Sequence, residues 1–527
     1  MKTTIENLVK KALESVGVSE ARFTVEHPTN LTFGDYTTNA GIVSKKAPEL
    51  LAYLEDHKPE GVEKIEIKSG FINFYLTKEF FKESIGEIIE RGSEFGKNKN
   101  LKGQKTIVEY TDPNPFKEFH IGHLMSNAIG ESIARISEWN GAEVMKACYQ
   151  GDVGMHVAKA LWKDDYALGS KAYEEDEQAK KEIQDINKKI YEKSDPELNK
   201  KYEEGKERSL EEFEKIYKKL GTKFDFNFFE SEVADFGKKL VEENTGEIFE
   251  KGEGGAVIFN AEKFDKYLHI RVFINSEGLP TYEAKELGLA KYKFEKYPYD
   301  KSIVITGNEV NDYFKVLLCA LGQIYPELAQ KTEHLSHGML RLTTGKMSSR
   351  TGEVITAESL IETVKEKVKG DEQVAIGAIK YMILRQSIGN DIIFDIEKSV
   401  STEGDSGVYL QYAYVRAKSV TEKGRLIIRD FDLLKESTSQ QDQTLLEKIL
   451  YRFPEIVLRA CDDLSPNYLV TYLTEVSSAF NNFYATTQII NPNDVPESYH
   501  RLALSKATEI VLKNGLDILG IPAPERM

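Results

Sequence analysis

The run PNPFKEFHIGH closes on His120, Ile121, Gly122 and His123, two imidazoles three positions apart around a glycine. At that spacing on a helix both rings share one face and can reach one ligand. The chemistry open to them is the handling of an anion. A helix start offers unpaired backbone N–H groups and the positive end of its dipole, a geometry suited to a phosphate chain such as that of ATP, and Gly122 leaves room for a nucleotide. A structural histidine pair and a zinc site are the competing readings. Zinc is disfavoured because Cys148, Cys319 and Cys461 are scattered without paired spacing and no further ligand stands beside the histidines.

A second motif lies far downstream, in TTGKMSSRTGEV, where Lys346, Met347, Ser348, Ser349 and Arg350 form a basic, hydroxyl-rich loop between Gly345 and Gly352. In isolation it reads as a solvated turn. The elements that must position both motifs are legible around them. KTIVEY (Lys105 to Tyr110) reads as a short buried strand, and Ile121, Leu124, Ala128, Ile129, Ile133 and Ile136 recur at helical spacing until Asn140 and Gly141 end the helix. YLHIRVFIN (Tyr267 to Asn275) and KSIVIT (Lys301 to Thr306) resume the strand pattern and alternate with helical segments, which predicts a doubly wound parallel, Rossmann-like sheet. His120 and Asn308 both follow strand ends, so they are expected to face one crevice at a topological switch point.

Boundaries follow from composition. GKNKNLKG, Gly96 to Gly103, separates an N-terminal unit from the first of these strands. A charged stretch from about Lys163 to Lys219, with Ile183, Ile186 and Ile190 at helical spacing, reads as solvated helices inserted in the sheet domain. Beyond Asp391 strand signals become rare, and amphipathic runs such as QTLLEKILYRFPEIVLRACDD predict an all-helical C-terminal domain.

The 527 residues are 40% hydrophobic, which places the chain among globular proteins of several domains. No apolar run has the length of a membrane span, no secretory core opens the chain, and the few cysteines suit a reducing compartment, so the expectation is a cytoplasmic protein without membrane contact. A net charge of −16 is unusual for a nucleic-acid binder. Arg416, Lys418, Lys423, Arg425 and Arg429 nevertheless cluster in one stretch, either as a local RNA-facing patch or as a solvated helix face. The first alternative predicts an RNA affinity that falls steeply with salt in a filter-binding titration, and a flat response would reject it.

HIGH followed at a distance by a KMSxS-like loop resembles the class I aminoacyl-tRNA synthetases, and surrounding words narrow the resemblance to the arginyl-tRNA synthetase family. FGDYTTNA (Phe33 to Ala40) and SGFINFYL (Ser69 to Leu76) are similar to its N-terminal domain, EYTDPNPFKEFHIGH and LPTYEAKELGLA to its active-site segments, and EGDSGVYLQYAYVRAKS with the closing run to Met527 to its anticodon-binding domain. The resemblance implies a small α+β domain over 1–100 that adds tRNA contacts, a catalytic domain over 101–390 with a helical insertion at about 163–265, and an α-helical anticodon-binding domain over 391–527. It implies a ligase that converts L-arginine and ATP, entering with Mg2+ as the substrate complex, into arginyl-adenylate, then passes arginine to the terminal adenosine of tRNA(Arg). No tightly held protein metal and a monomer are expected, and the family property of needing bound tRNA for the first step is implied as well.

Chemistry narrows the site. A guanidinium is planar, always charged and rich in donors, so its pocket needs carboxylates. Glu109, Asn114, Tyr282, Glu286 and Asn308 are the arginine candidates. Tyr282 and Glu286, four apart, project to one face, whereas Glu283 does not and remains the fallback. The family more often has aspartate at position 286. Glu109 in an apolar strand calls for a cationic partner, either the ligand or an internal Lys or Arg. For ATP the candidates are His120, Gly122, His123, His334, Lys346, Ser348, Ser349 and Arg350. Ser349 stands where most class I enzymes have a second lysine, and the resemblance suggests that Lys117, three residues before His120, supplies the missing charge. Its alternative is an exposed lysine partly neutralised by Glu118. The catalytic set is then Lys117, His120, His123 and Lys346. Tyr409, Tyr412, Tyr484 and Met527 match the family's anticodon contacts, and Tyr414 replaces what is more often histidine. A small-molecule nucleotidyltransferase and an inactive RNA-binding paralogue are the rival readings.

Overall fold

The structure is a computed structural model that describes residues 1–18, 20–343, 355–427, 443–491 and 493–527, without the side chains of Arg425 and Ile427. It divides into two compact units, one of residues 1–96, 413–456 and 475–514, the other of 97–412, 457–474 and 515–527.

In the first unit, strands β1 (Val25–Glu26), β2 (Tyr36–Thr38), β3 (Val62–Lys68) and β4 (Phe71–Leu76) make an antiparallel sheet in the order β1-β2-β4-β3. FGDYTTNA and SGFINFYL thus meet as neighbours, with Tyr36 opposite Phe74 and Thr38 opposite Ile72. Helices Lys2–Ser15 and Ala47–Asp56 bury Ile5, Val9, Leu50 and Leu54 against Ile72 and Phe74 of that sheet. Apolar residues at helical spacing on one side and alternating ones on the other produce the two-layer core. Glu455, in helix Phe453–Asp462, accepts from the Tyr36 hydroxyl at 2.5 Å and lies 3.0 Å from His27 Nε2.

The second unit is built on a five-stranded parallel sheet. Its strands are β5 (Lys105–Glu109), β6 (Glu143–Gln150), β7 (Phe226–Phe229), β11 (Lys301–Gly307) and β12 (Thr332–His337), in the order β12-β11-β5-β6-β7. The chain reverses its direction of growth across the sheet at the β5/β11 boundary, where Ser302 pairs with Ile107. Helix Ile121–Trp139 follows β5 as the apolar spacing predicts, with Asn140 as its C-cap and Gly141 at φ 94°. Gly130 of that helix lies where a Cβ would stand 2.2 Å from the Tyr110 ring, so the helix can press onto the end of β5.

Two sequence expectations are corrected. Tyr267 to Asn275 does not rejoin the parallel sheet: β10 (Ile270–Ile274) pairs antiparallel with β9 (Val257–Asn260), which pairs with β8 (Glu250–Lys251) in a separate small sheet. Ile270 and Val272 stay exposed while Phe273 and Ile274 are buried, a half-covered pattern unlike the near-continuous apolar strand of a doubly covered sheet. The fifth parallel strand is β7, which falls inside the span assigned to a helical insertion. The helices Tyr166–Glu175, Glu177–Glu192 and Pro196–Leu220 do form there, and Ile183 and Ile190 are buried against Val153, Val157 and Leu161. Strands β13 (Leu340–Leu342) and β14 (Ile392–Phe394) pair in parallel just before helices dominate, from Gly407–Ile427 through Leu445–Leu450, Phe453–Asp462, Asn467–Thr486 and Val495–Ile518.

Candidate active site

A cavity of about 800 Å³ opens at the switch point, lined by Thr111, Asp112 and Asn114 after β5, by His120, Gly122 and His123, by Gly307 at the end of β11 and by Glu309 beyond it. Ser126 stitches the two strand ends together. Its Oγ accepts from the Thr111 N–H at 2.9 Å and donates to the Ile305 carbonyl at 3.1 Å.

The two histidines cap the helix reciprocally. His120 Nδ1 accepts from the N–H groups of Gly122 and His123 at 3.1 and 3.4 Å, and His123 Nδ1 accepts from the His120 N–H at 3.2 Å. The rings stack with centroids 3.6 Å apart. An Nδ1 that accepts must lack a proton, so each neutral ring carries its proton on Nε2 as a donor. Burial pushes His120 below the ordinary imidazole range and His123 well below it, helped at His123 by the neighbouring His120 and Lys117. Gly122 lines the cavity and also serves this stack, since a Cβ there would lie 2.9 Å from the His120 ring.

Lys346, Ser348, Ser349 and Arg350 lie outside the described residues, but the chain on either side of that segment borders the cavity through Leu342 and Ile355. Ile121 donates to the Ile355 carbonyl at 3.1 Å and Ala357 to that of Phe119 at 2.8 Å. The returning chain is thereby fastened beside the first motif. Lys117 is half-buried, and burial lowers its ammonium pKa, with Glu230 opposing.

His334 and Asn308 do not take the expected positions. The His334 ring stacks on Phe314 at 3.9 Å and its Nε2 meets Thr306 Oγ1 at 2.7 Å. Strand residues an odd number apart face opposite ways, so His337, three further on, is the histidine that lines the cavity. Asn308 is exposed beyond β11, and the Glu309 carboxylate curls back over Gly307 to occupy the edge instead.

The acidic candidates separate. Glu109 is buried, and its carboxylate accepts from Lys293 at 2.7 Å, so the internal partner is the one realised. Glu283, the fallback, pairs with Arg271 at 3.1 Å. The Glu286 carboxylate makes no hydrogen bond among the described residues, and burial, then Glu109, raise its pKa well above the usual range against the pull of Lys293. Asp112 is raised likewise by burial and Glu109, although it accepts from the Tyr149 N–H at 2.8 Å. Three carboxylates around one ammonium form a pocket short of positive charge. Tyr282 is 56% exposed at the start of the same helix, so it borders solvent. Asn114 packs its amide over Gly151, where a Cβ would be 2.3 Å away.

Sequence reasoning missed Asp112, Lys293 and Tyr149. The Tyr149 hydroxyl is buried with no partner among the described residues, and burial, Glu230 and Glu286 push its pKa upward. Only Asp112 carried a signal, sitting between Glu109 and Asn114. In the helical region Tyr412, Tyr484 and Met527 are 37, 43 and 46% exposed, Tyr409 is half-buried and Tyr414 is core. Arg416 lies over the Tyr484 ring at 4.9 Å. Among the described residues no group of three His, Cys, Asp or Glu side chains is arranged to hold a metal, and no helix is long and apolar enough to cross a membrane.

Comparison with known proteins extends these observations over the whole chain. Residues 3–76 match the arginyl tRNA synthetase N-terminal domain, residues 84–159 and 156–396 the catalytic domain of class I tRNA synthetases (R), and residues 410–527 the DALR anticodon binding domain. The chain is 30% identical to an arginine–tRNA ligase of Clostridium perfringens, covering 95% of this chain and 96% of that one, and 29% identical to that of Treponema denticola over 100% of both. Its fold matches the arginyl-tRNA synthetases of Thermus thermophilus (TM-score 0.72, 23% identity, 100% of both chains) and Plasmodium falciparum (TM-score 0.79, 20% identity, 100% and 98%).

Proposed function

This chain belongs to the arginyl-tRNA synthetase family of class I aminoacyl-tRNA synthetases, and on that premise we propose how its cavity carries out arginine–tRNA ligation. The protein is an arginine–tRNA ligase: it activates L-arginine with ATP and passes the arginyl group to tRNA(Arg), which the helical domain recognises at the anticodon. The observation that carries the mechanism is the reciprocal capping of His120 and His123, which leaves two neutral Nε2–H donors on one face of the cavity.

The arginine carboxylate attacks the α-phosphorus of ATP, the bond to the bridging oxygen breaks, and pyrophosphate departs with the growing negative charge. His120 and His123 donate to phosphate oxygens, and Lys117 with Lys346 supplies positive charge to the leaving group. Mg2+ enters with ATP as part of the substrate. The guanidinium takes its place against Glu286 and Asp112, with Tyr149 and Asn114 as neutral partners and Tyr282 at the mouth. Glu109 acts through Lys293, which it holds. A ribose hydroxyl of the terminal adenosine then attacks the arginyl carbonyl and AMP leaves. Tyr409, Tyr412, Tyr484 and Met527 contribute the RNA contacts, exposed tyrosine faces being able to stack on splayed bases. In this reading the enzyme works as a cytoplasmic monomer.

Incubation with ATP, tRNA and each amino acid in turn tests the function, with arginine alone expected to be charged. Charging of another amino acid, or none, would overturn it. Glu286→Gln tests the pocket. The KM for arginine should rise about 10–100-fold, the scale of a hydrogen bond to a charged group, while that for ATP changes little. Because the carboxylate form grips the guanidinium and burial raises its pKa well above the ordinary carboxylate range, the parent's KM for arginine should also rise as pH falls through that raised pKa. A pH-independent KM would remove Glu286 from the pocket.

A further inference from the structure

We propose that the helical insertion supplies a positioning residue for adenylate formation: Tyr166, whose ring face holds the Lys117 ammonium in place for the triphosphate. The proposal rests on the reading that Lys117 acts on ATP. Lys117 Nζ lies 5.4 Å from the Tyr166 ring centroid. No carboxylate pairs with Lys117 among the described residues, and its sequence neighbour Glu118 points to solvent. The ammonium is half-buried and disfavoured by that burial, and the aromatic face adds to the longer-range pull of Glu230 in compensating it. The choice of partner matters chemically. A carboxylate would neutralise the charge and occupy its donors, whereas a ring stabilises the cation and leaves the N–H groups for phosphate oxygens.

The local structure is built to hold that ring. After helix Met155–Leu161 the chain turns through Lys163 and Asp164, both in the left-handed region at φ 63° and 57°. Asp165 then caps the next helix by accepting from the Leu168 N–H at 2.9 Å, which makes Tyr166 its first residue. Gly169 lets the two helices touch, since a Cβ there would stand 2.0 Å from the Lys159 carbonyl. Helix Met155–Leu161 itself follows the end of β6 and places His156 within electrostatic reach of Lys117. A segment that reads as solvated surface helices thus reaches the catalytic lysine through one tyrosine.

Arginine-dependent ATP–pyrophosphate exchange should be measured for Tyr166→Leu, Tyr166→Phe, Lys117→Met and the Tyr166→Leu/Lys117→Met double variant, with thermal midpoints as the folding control. Tyr166→Leu is expected to lower kcat about tenfold with the KM for arginine unchanged, the scale of a partly desolvated cation–π contact. Phenylalanine keeps the ring and should restore most of the rate. The double variant should be no slower than Lys117→Met alone. If the leucine variant does not fold, Tyr166→Met offers similar reach without a π face. A Tyr166→Leu or Tyr166→Met enzyme within twofold of the parent, or losses that multiply in the double variant, overturns the proposal while leaving Lys117 catalytic. Near-normal exchange in Lys117→Met instead overturns the underlying reading, and the proposal with it.

Discussion

His120→Asn is expected to fold normally and yet lose about 10²–10³-fold in arginine-dependent ATP–pyrophosphate exchange, the scale for removing one preorganised donor from a developing oxyanion. The variant separates two jobs of one ring. Nδ1 caps the helix through Gly122 and His123, and asparagine is among the best capping residues, so stability should change by only a few tenths of a kcal/mol. Nε2 lies beyond anything asparagine can reach. His120→Ala should lose the cap as well, at a cost of about 1 kcal/mol in urea denaturation. Protonation gives a second view of the same donors. Because burial depresses both rings, exchange should persist as pH falls through about 6.5, where free imidazole protonates. Stability behaves differently. Below that value the unfolded rings bind protons that the folded rings do not, so stability is full above it and falls as pH drops toward the folded pKa. An acid limb of exchange near the free imidazole value, or a His120→Asn enzyme of parental activity, would sink the assignment.

Lys293→Met should cost about 3–5 kcal/mol of stability, because it strands a carboxylate that the fold has removed from water. Glu109 and Lys293 are 2.7 Å apart with side chains 2% and 5% exposed. Desolvating one unpaired ion costs far more than the intact pair contributes. Adding Glu109→Gln to Lys293→Met should therefore recover most of the loss, since a neutral amide replaces the stranded charge. Glu109→Gln alone leaves the opposite problem, an ammonium that has lost its closest carboxylate and turns to Glu286 and Asp112 in competition with the substrate guanidinium. Its arginine KM should rise even though the Glu109 carboxylate is engaged by Lys293. Urea denaturation of the three variants with arginine titrations decides the matter, and a Lys293→Met loss below about 1 kcal/mol would mean that the pair is not held out of water.

Local information carried the reading a long way. The strand at Lys105, the helix from Ile121 and its end at Asn140 were all legible because apolar periodicity and capping act over a few residues. The same short range made His120 and His123 recognisable as one unit. Reading failed where the deciding neighbour is far along the chain. Ile270–Ile274 has strand chemistry, but whether it joins the large sheet depends on which face is later covered. His334 and His337 were equivalent in a string, and only the orientation of β12 against Phe314 assigns one to a ring stack on Phe314 and the other to the cavity.

By itself, then, the sequence determined the first strand and the helix that follows it, the paired histidines at that helix start and the demand that Glu109 find a cation. Only the tertiary structure decided that the cation is Lys293, 184 residues away, that Glu286 and Asp112 are the acids left without one, and that Tyr166 stands over Lys117. The division has one physical cause. Propensity and capping are set by neighbours a turn or a pleat away, whereas the pairing of buried charges is settled by which surfaces are taken out of water together.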